Sequence, residues 1–103
     1  MLIPTTYEEL AKPLEEGKTM LFFTADWCGD CVFIKPDMPE IEASFPEYTF
    51  VQVDRDVFID ICQKWEILGI PSFVAIKDGK ELGRFVSKDR KTKEEIMTFI
   101  SEL

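Results

Sequence analysis

From Thr19 to Ala25 the chain runs Thr-Met-Leu-Phe-Phe-Thr-Ala, almost continuously apolar over the length of one strand. A run without polar alternation is expected where both faces of a strand are covered, so this segment is predicted to be a central strand. After it the spacing changes. Val32, Phe33, Met38, Ile41, Ala43 and Phe45 recur at helical intervals, which predicts a helix from about Cys28 to the stop at Pro46, kinked at Pro36. Residues 48–53 read as a second strand, and Ile59, Ile61, Cys62 and Trp65 mark a short helix ending near Leu68-Gly69.

Two more strands, Ser72 to Lys77 and Glu81 to Val86, flank Asp78-Gly79, a pair suited to a type I′ hairpin turn because both central residues need positive φ. Capping boxes stand at both ends of the chain. Thr6 with Glu9 predicts a first helix running to about Gly17, and Thr92 with Glu95 opens a last one. In that last helix Ile96, Phe99, Ile100 and Leu103 make an apolar stripe at i, i+3, i+4 and i+7. The order implies an α/β fold: a right-handed β-α-β unit extended by an antiparallel hairpin, in a mixed central sheet of four or five strands with helices on both faces.

Composition narrows the function. With 103 residues, 46% of them apolar, one domain over 1–103 is expected. Twelve basic against twenty acidic residues give a formal charge of -8, which would repel nucleic acid and anionic membranes. No apolar run approaches the roughly 18 to 20 residues of a membrane helix, and the opening residues lack the pattern of a signal peptide. The expectation is a cytoplasmic monomer. The basic run Lys88, Arg90, Lys91 and Lys93 is expected to stay solvated and is given no function.

Three cysteines, an odd number, do not suggest a structural disulfide framework. Cys28 and Cys31 form a C-x-x-C pair, while Cys62 stands apart and reads as a small buried apolar residue. The absence of histidine excludes Cys-His hydrolases and most mixed zinc sites. A lone C-x-x-C pair supplies only half of a tetrahedral thiolate site, so metal binding would need a site shared between two chains. Redox chemistry fits better. The pair falls where a buried strand meets a helix, a place that favours an anion such as a thiolate. Three-residue spacing brings both sulfurs to one side, with Cys28 the more exposed nucleophile and Cys31 the resolving thiol. Asp26 and Asp30 oppose a thiolate there about as strongly as the helix start favours it.

The segment Ala25-Asp26-Trp27-Cys28-Gly29-Asp30-Cys31 resembles the active site of the thioredoxin family, and the resemblance extends to Pro36, to Gly69-Ile70-Pro71-Ser72, and to the hairpin and last helix. It implies a thioredoxin-like fold and a protein-disulfide reductase without a bound cofactor. The implied partners are disulfide-containing proteins and a thioredoxin reductase or equivalent donor. It further implies a cis bond before Pro71 and a substrate-binding face made by Trp27, Gly29, Ile70 and Pro71.

The sequence also departs from the family. Phe22 occupies the position of the family's buried aspartate and Phe50 that of its lysine partner, so both losses fit one apolar core. The usual Gly-Pro between the cysteines is Gly29-Asp30, and Asp30 is a candidate proton acceptor for Cys31, against the simpler reading of an exposed acid that stabilises the helix start. A glycine expected near Val86-Ser87 is missing, which affects the shape of the groove. The alternatives are a glutaredoxin, disfavoured by Trp27, and a redox-regulated binding module that uses the Trp27/Pro71 groove without turnover.

Overall fold

The computed structural model describes residues 1–103. Its sheet is built on β1 (Lys18–Thr24), flanked by β2 (Tyr48–Asp54) on one side and β3 (Ser72–Lys77) on the other, with β4 (Lys80–Phe85) at the far edge. β1 runs parallel to β2, with Leu21 opposite Val51 and Phe23 opposite Val53. It runs antiparallel to β3, with Met20 opposite Ala75 and Phe22 opposite Phe73. Met20, Leu21, Phe22 and Phe23 are all fully buried, so both faces of β1 are covered, as the uninterrupted apolar run predicts. A single parallel bridge from Leu2 to Val51 is all that exists of a fifth strand.

Strand alternation divides the core in two. Leu21, Phe23, Val51, Val53 and Val74 share one cluster with Cys28, Cys31 and Cys62. Met20, Phe22, Phe50, Phe73 and Ala75 form the other with Ile34, Met38 and Ile41 from the central helical segment and Ile96 and Ile100 from the last helix.

The helices follow the sequence with informative exceptions. α1 (Tyr7–Ala11) has the expected capping box but ends well before Gly17, giving way to a 3-10 turn over Lys12–Leu14. Pro13 explains this, because it has no N–H for the carbonyl one turn back. Gly17 instead takes φ +75° and ties this corner to the hairpin: its N–H donates to Asp78 Oδ1 at 2.7 Å and its carbonyl accepts from Asp78 N at 2.9 Å. The segment predicted as one kinked helix is α2 (Gly29–Ile34), a 3-10 turn over Lys35–Asp37 that contains Pro36, and α3 (Met38–Ser44).

α4 (Ile59–Lys64) stops short of Leu68-Gly69, with Glu66 left-handed at φ 56°. Asp78 and Gly79 have φ 49° and 83°, as a type I′ turn requires. α5 (Lys93–Ser101) carries the second capping box. No helix is long and apolar enough to cross a membrane.

Candidate active site

β1 delivers the chain to the site, and a tight turn closed by Cys28 N–H donating to Ala25 O at 3.2 Å passes it into α2. Cys28 is the N-cap of α2 with extended backbone angles, and its Sγ accepts a hydrogen bond from Cys31 N at 3.2 Å. A sulfur in that position takes the place of the usual Ser, Thr or Asp oxygen at a helix start, and a thiolate there accepts more strongly than a thiol. Cys28 is 7% exposed and Cys31 fully buried, so the outer thiol is less open than a surface residue but remains the accessible one of the two. All three cysteines are free thiols.

The two sulfurs are in unequal surroundings. Burial, reinforced by the hydrogen bond with Cys28, pushes the Cys31 thiol up to about 11, against the pull of the Thr24 hydroxyl and the Ala25 backbone. Burial raises Cys62 as well, and that residue sits 2% exposed, as read from its neighbours.

The Ile70–Pro71 peptide is cis and lies against the dithiol: the Cys28 thiol faces Ile70 O at 3.8 Å. Two segments distant in sequence, 25–31 and 69–72, therefore meet at one sulfur. Trp27 is 64% exposed beside it, with its indole Nε1 donating to Asp56 Oδ2 at 2.8 Å and the Arg55 guanidinium 5.7 Å from its ring. Asp56 is held in turn by Asp54, whose Oδ1 accepts from Asp56 N at 2.8 Å. Gly29 opens α2 with free space where a side chain would stand.

Asp30 faces away from a purely solvated setting. Its Oδ1 pairs with Arg90 Nε at 2.9 Å, and the Arg90 guanidinium lies 4.2 Å over the Phe33 ring, so the loop before α5 is fastened to α2. Of the basic run, Lys88 and Arg90 are exposed as expected, while Lys91 departs from the solvated reading. Lys93 pairs with Glu40 at 2.8 Å, and Lys91 is only 1% exposed. The three Lys91 ammonium donors reach Ser87 O at 3.2 Å, Ser87 Oγ at 3.1 Å and Asp89 O at 3.0 Å, and the charge sits 5.2 Å from the Phe85 ring. Burial lowers the Lys91 ammonium, while the charges of Asp89, Cys31, Glu95 and Asp30 support it. The local sequence gave no sign of this, because a loop that wraps its own lysine looks like any basic stretch.

Gly69 was legible only as part of a motif, yet its role is specific. A Cβ there would collide with the backbone of Ser87 and Lys88, so only glycine lets the segment before β3 lie this close to the residues that follow β4. Phe22 and Phe50 are buried in one cluster, as their joint replacement suggested, and Phe22 stacks on Phe73 at 5.1 Å and 15°. Neither belongs to the cluster that holds the dithiol. No group of three or more Cys, Asp or Glu residues is placed to hold a metal ion.

The chain is similar to several known proteins. A thioredoxin H-type from Picea mariana is 44% identical over 64 residues, covering 62% of this chain and 51% of that protein. One from Fagopyrum esculentum is 38% identical over 80 residues, covering 77% and 69%. The matched stretches thus span from about half to just over two thirds of those relatives' lengths. The crystal structure of thioredoxin from Trypanosoma brucei brucei superposes with a TM-score of 0.86 at 27% identity, over 99% of this chain and 88% of that one. Fasciola hepatica thioredoxin does so at 0.79 and 32%, over 96% and 98%. A family model described as Thioredoxin matches residues 2–102, all but the first and last positions, and the chain belongs to the thioredoxin family.

Proposed function

We propose that this protein is a thiol-disulfide oxidoreductase that reduces protein disulfides through Cys28 and Cys31, within one domain over residues 1–103. The observation that carries the reading is Cys28 Sγ as the cap of α2, receiving Cys31 N–H at 3.2 Å and facing the Ile70 carbonyl of the cis bond at 3.8 Å. A pure binding module has no use for a sulfur in that position.

The thiolate of Cys28 attacks one sulfur of a target disulfide; that S–S bond breaks and the departing target sulfur leaves as a thiol after taking a proton. Cys31, kept protonated by burial until then, loses its proton and attacks Cys28 Sγ. The second target thiol departs, and the protein holds the two-electron-oxidised Cys28–Cys31 disulfide, which a thioredoxin reductase or equivalent dithiol donor reduces again. No bound cofactor takes part in these steps.

Ile70 offers its backbone and Trp27 its exposed ring to an extended target segment, beside Gly29 and Pro71, and none of the surface cavities includes Cys28 or Cys31, which suits a protein chain better than an enclosed small molecule. Asp30, the acid nearest in sequence to both sulfurs, takes the Cys31 proton through water, its Oδ1 remaining on Arg90. The protein acts as a monomer in the cytoplasm, a reducing compartment in which a dithiol of this kind stays charged for disulfide reduction.

The test is insulin-disulfide reduction with trapping. Wild type reduces insulin catalytically, Cys28→Ser is inactive, and Cys31→Ser accumulates a covalent mixed disulfide seen by mass spectrometry. Turnover by Cys28→Ser would refute the assignment.

A further inference from the structure

Thr24 closes β1 at 2% exposure, yet its Oγ1 has no hydrogen-bond partner; no other buried side-chain nitrogen or oxygen in the chain is left in that state. Such a hydroxyl has given up water and gained nothing in return, so its presence calls for an explanation outside the stability of the fold. Valine would fill the same space without the cost.

The backbone around it is fully engaged. Thr24 O accepts from Arg55 N at 2.8 Å, and the Ala25–Cys28 turn follows at once, folding the first turn of α2 back over the end of the strand. That turn brings the fully buried Cys31 to the Thr24 hydroxyl, which with the Ala25 backbone favours the Cys31 thiolate against burial and the neighbouring Cys28 thiol. The contact is not a formed hydrogen bond. A thiol is a weak acceptor and a thiolate a strong one, so a donor waiting beside Cys31 is paired only when that sulfur ionises.

We propose that Thr24 is a catalytic residue of the resolving step, its hydroxyl donating a hydrogen bond to Cys31 Sγ as that sulfur becomes a thiolate. The inference rests on the roles of Cys28 and Cys31 given above and deepens them. Cys31 gives up its proton, its sulfur attacks Cys28 Sγ, the bond between Cys28 and the target sulfur breaks, and the target leaves as a thiolate that solvent protonates. Thr24 neither gains nor loses a proton. Because its hydrogen bond forms as charge develops, it lowers the barrier without stabilising the resting dithiol. Phe22, at the position of the family's buried acid, is apolar and lies in the other cluster, so the Thr24 hydroxyl is a neutral polar group left to stabilise the Cys31 thiolate.

The experiment uses the full chain in a Cys62→Ala background and an aromatic disulfide whose thiol product is coloured. The first equivalent released reports attack by Cys28; the second reports resolution by Cys31. Thr24→Val should leave the first phase unchanged and slow the second about tenfold near neutral pH, moving its pH dependence up by about one unit. Cys28 and the Lys91 ammonium, the other titratable groups acting on Cys31, are present in every variant, so the difference belongs to Thr24.

Thr24→Ser should resolve at nearly the wild-type rate, and the urea midpoint of Thr24→Val should equal or exceed that of wild type. Resolution by Thr24→Val at the wild-type rate across pH, or equal slowing in Thr24→Ser, overturns the proposal. If Thr24→Val does not fold, the contrast between Thr24→Ser and Thr24→Ala decides in the same way. Release of a second equivalent by Cys31→Ser would instead refute the underlying roles of the two cysteines.

Discussion

The two faces of the sheet handle polarity in opposite ways. One face packs Cys28, Cys31 and Cys62 among Leu10, Val51, Val53 and Val74, and bears the chemistry at its edge. The other is closed by Met20, Phe22, Phe50 and Phe73 against α3 and α5, and its apolar cluster takes in the Tyr48 phenol, whose titration burial raises. Relatives place a buried acid and lysine at Phe22 and Phe50, as the resemblance implies. Here both charges are gone together, and what polar character the site keeps is moved to the loop before α5, where Lys91 is buried and Arg90 holds Asp30. A charge can be removed from a core without penalty only when its partner goes too.

Restoring one charge to the apolar face has the largest expected effect. Phe22→Asp buries a carboxylate within an apolar cluster and removes a ring stacked on Phe73. A loss of at least about 3 to 5 kcal/mol is expected, enough to unfold a domain of this size. Urea denaturation measures it. Adding Phe50→Lys should recover only part of the loss, because strand register sets Phe50 opposite Met20, not opposite Phe22. Full recovery would show that the apolar face is a neutral substitution for the charged one.

An intermediate effect is expected from Lys91→Met in the loop before α5. The change strands Ser87 O and Asp89 O, and a buried carbonyl without its donor costs about 1 to 3 kcal/mol. The pH dependence has a definite sign. Burial holds the folded-state Lys91 below its ordinary 10.5, so the unfolded chain binds more protons in the alkaline range just under that value. Wild-type stability relative to Lys91→Met therefore rises as pH climbs through the folded value towards 10.5, and levels off above it. Urea midpoints of both proteins between neutral pH and about 11 test this; a constant difference would mean that Lys91 is not desolvated.

These same contrasts explain what the sequence could tell. β1, the dithiol and the capping boxes were legible because each is written in neighbouring residues: an apolar run, a C-x-x-C, a Thr three positions before a Glu. The kinked helix was read as one element because its apolar spacing continues across Pro36, although the backbone tightens into a 3-10 turn there. Lys91 and Arg90 were missed for a different reason. Their partners are a loop's own carbonyls and a carboxylate sixty positions earlier, and neither leaves a periodic trace. Gly69 shows the intermediate case. Its presence was visible in the motif, but the need for it comes from Ser87 and Lys88 across the groove.

The smallest effect on stability, and the finest test of how the two regions divide their work, comes from Asp30→Asn. The carboxylate and Arg90 are 36% and 56% exposed, so water and salt screen the pair, and its loss should cost no more than about 1 kcal/mol. The effect on the resolving step separates the roles that a first-turn acid can play. As acceptor of the Cys31 proton, Asp30 speeds resolution most where Cys31 is still protonated, below about 11. Asp30→Asn should then resolve several-fold more slowly at neutral pH, with the deficit shrinking as hydroxide takes over the deprotonation. Arg90→Gln, which removes the same ion pair but keeps the carboxylate, should not reproduce that deficit. If both variants give the wild-type pH profile, Asp30 only fastens α2 to the loop, and proton transfer from Cys31 goes directly to solvent.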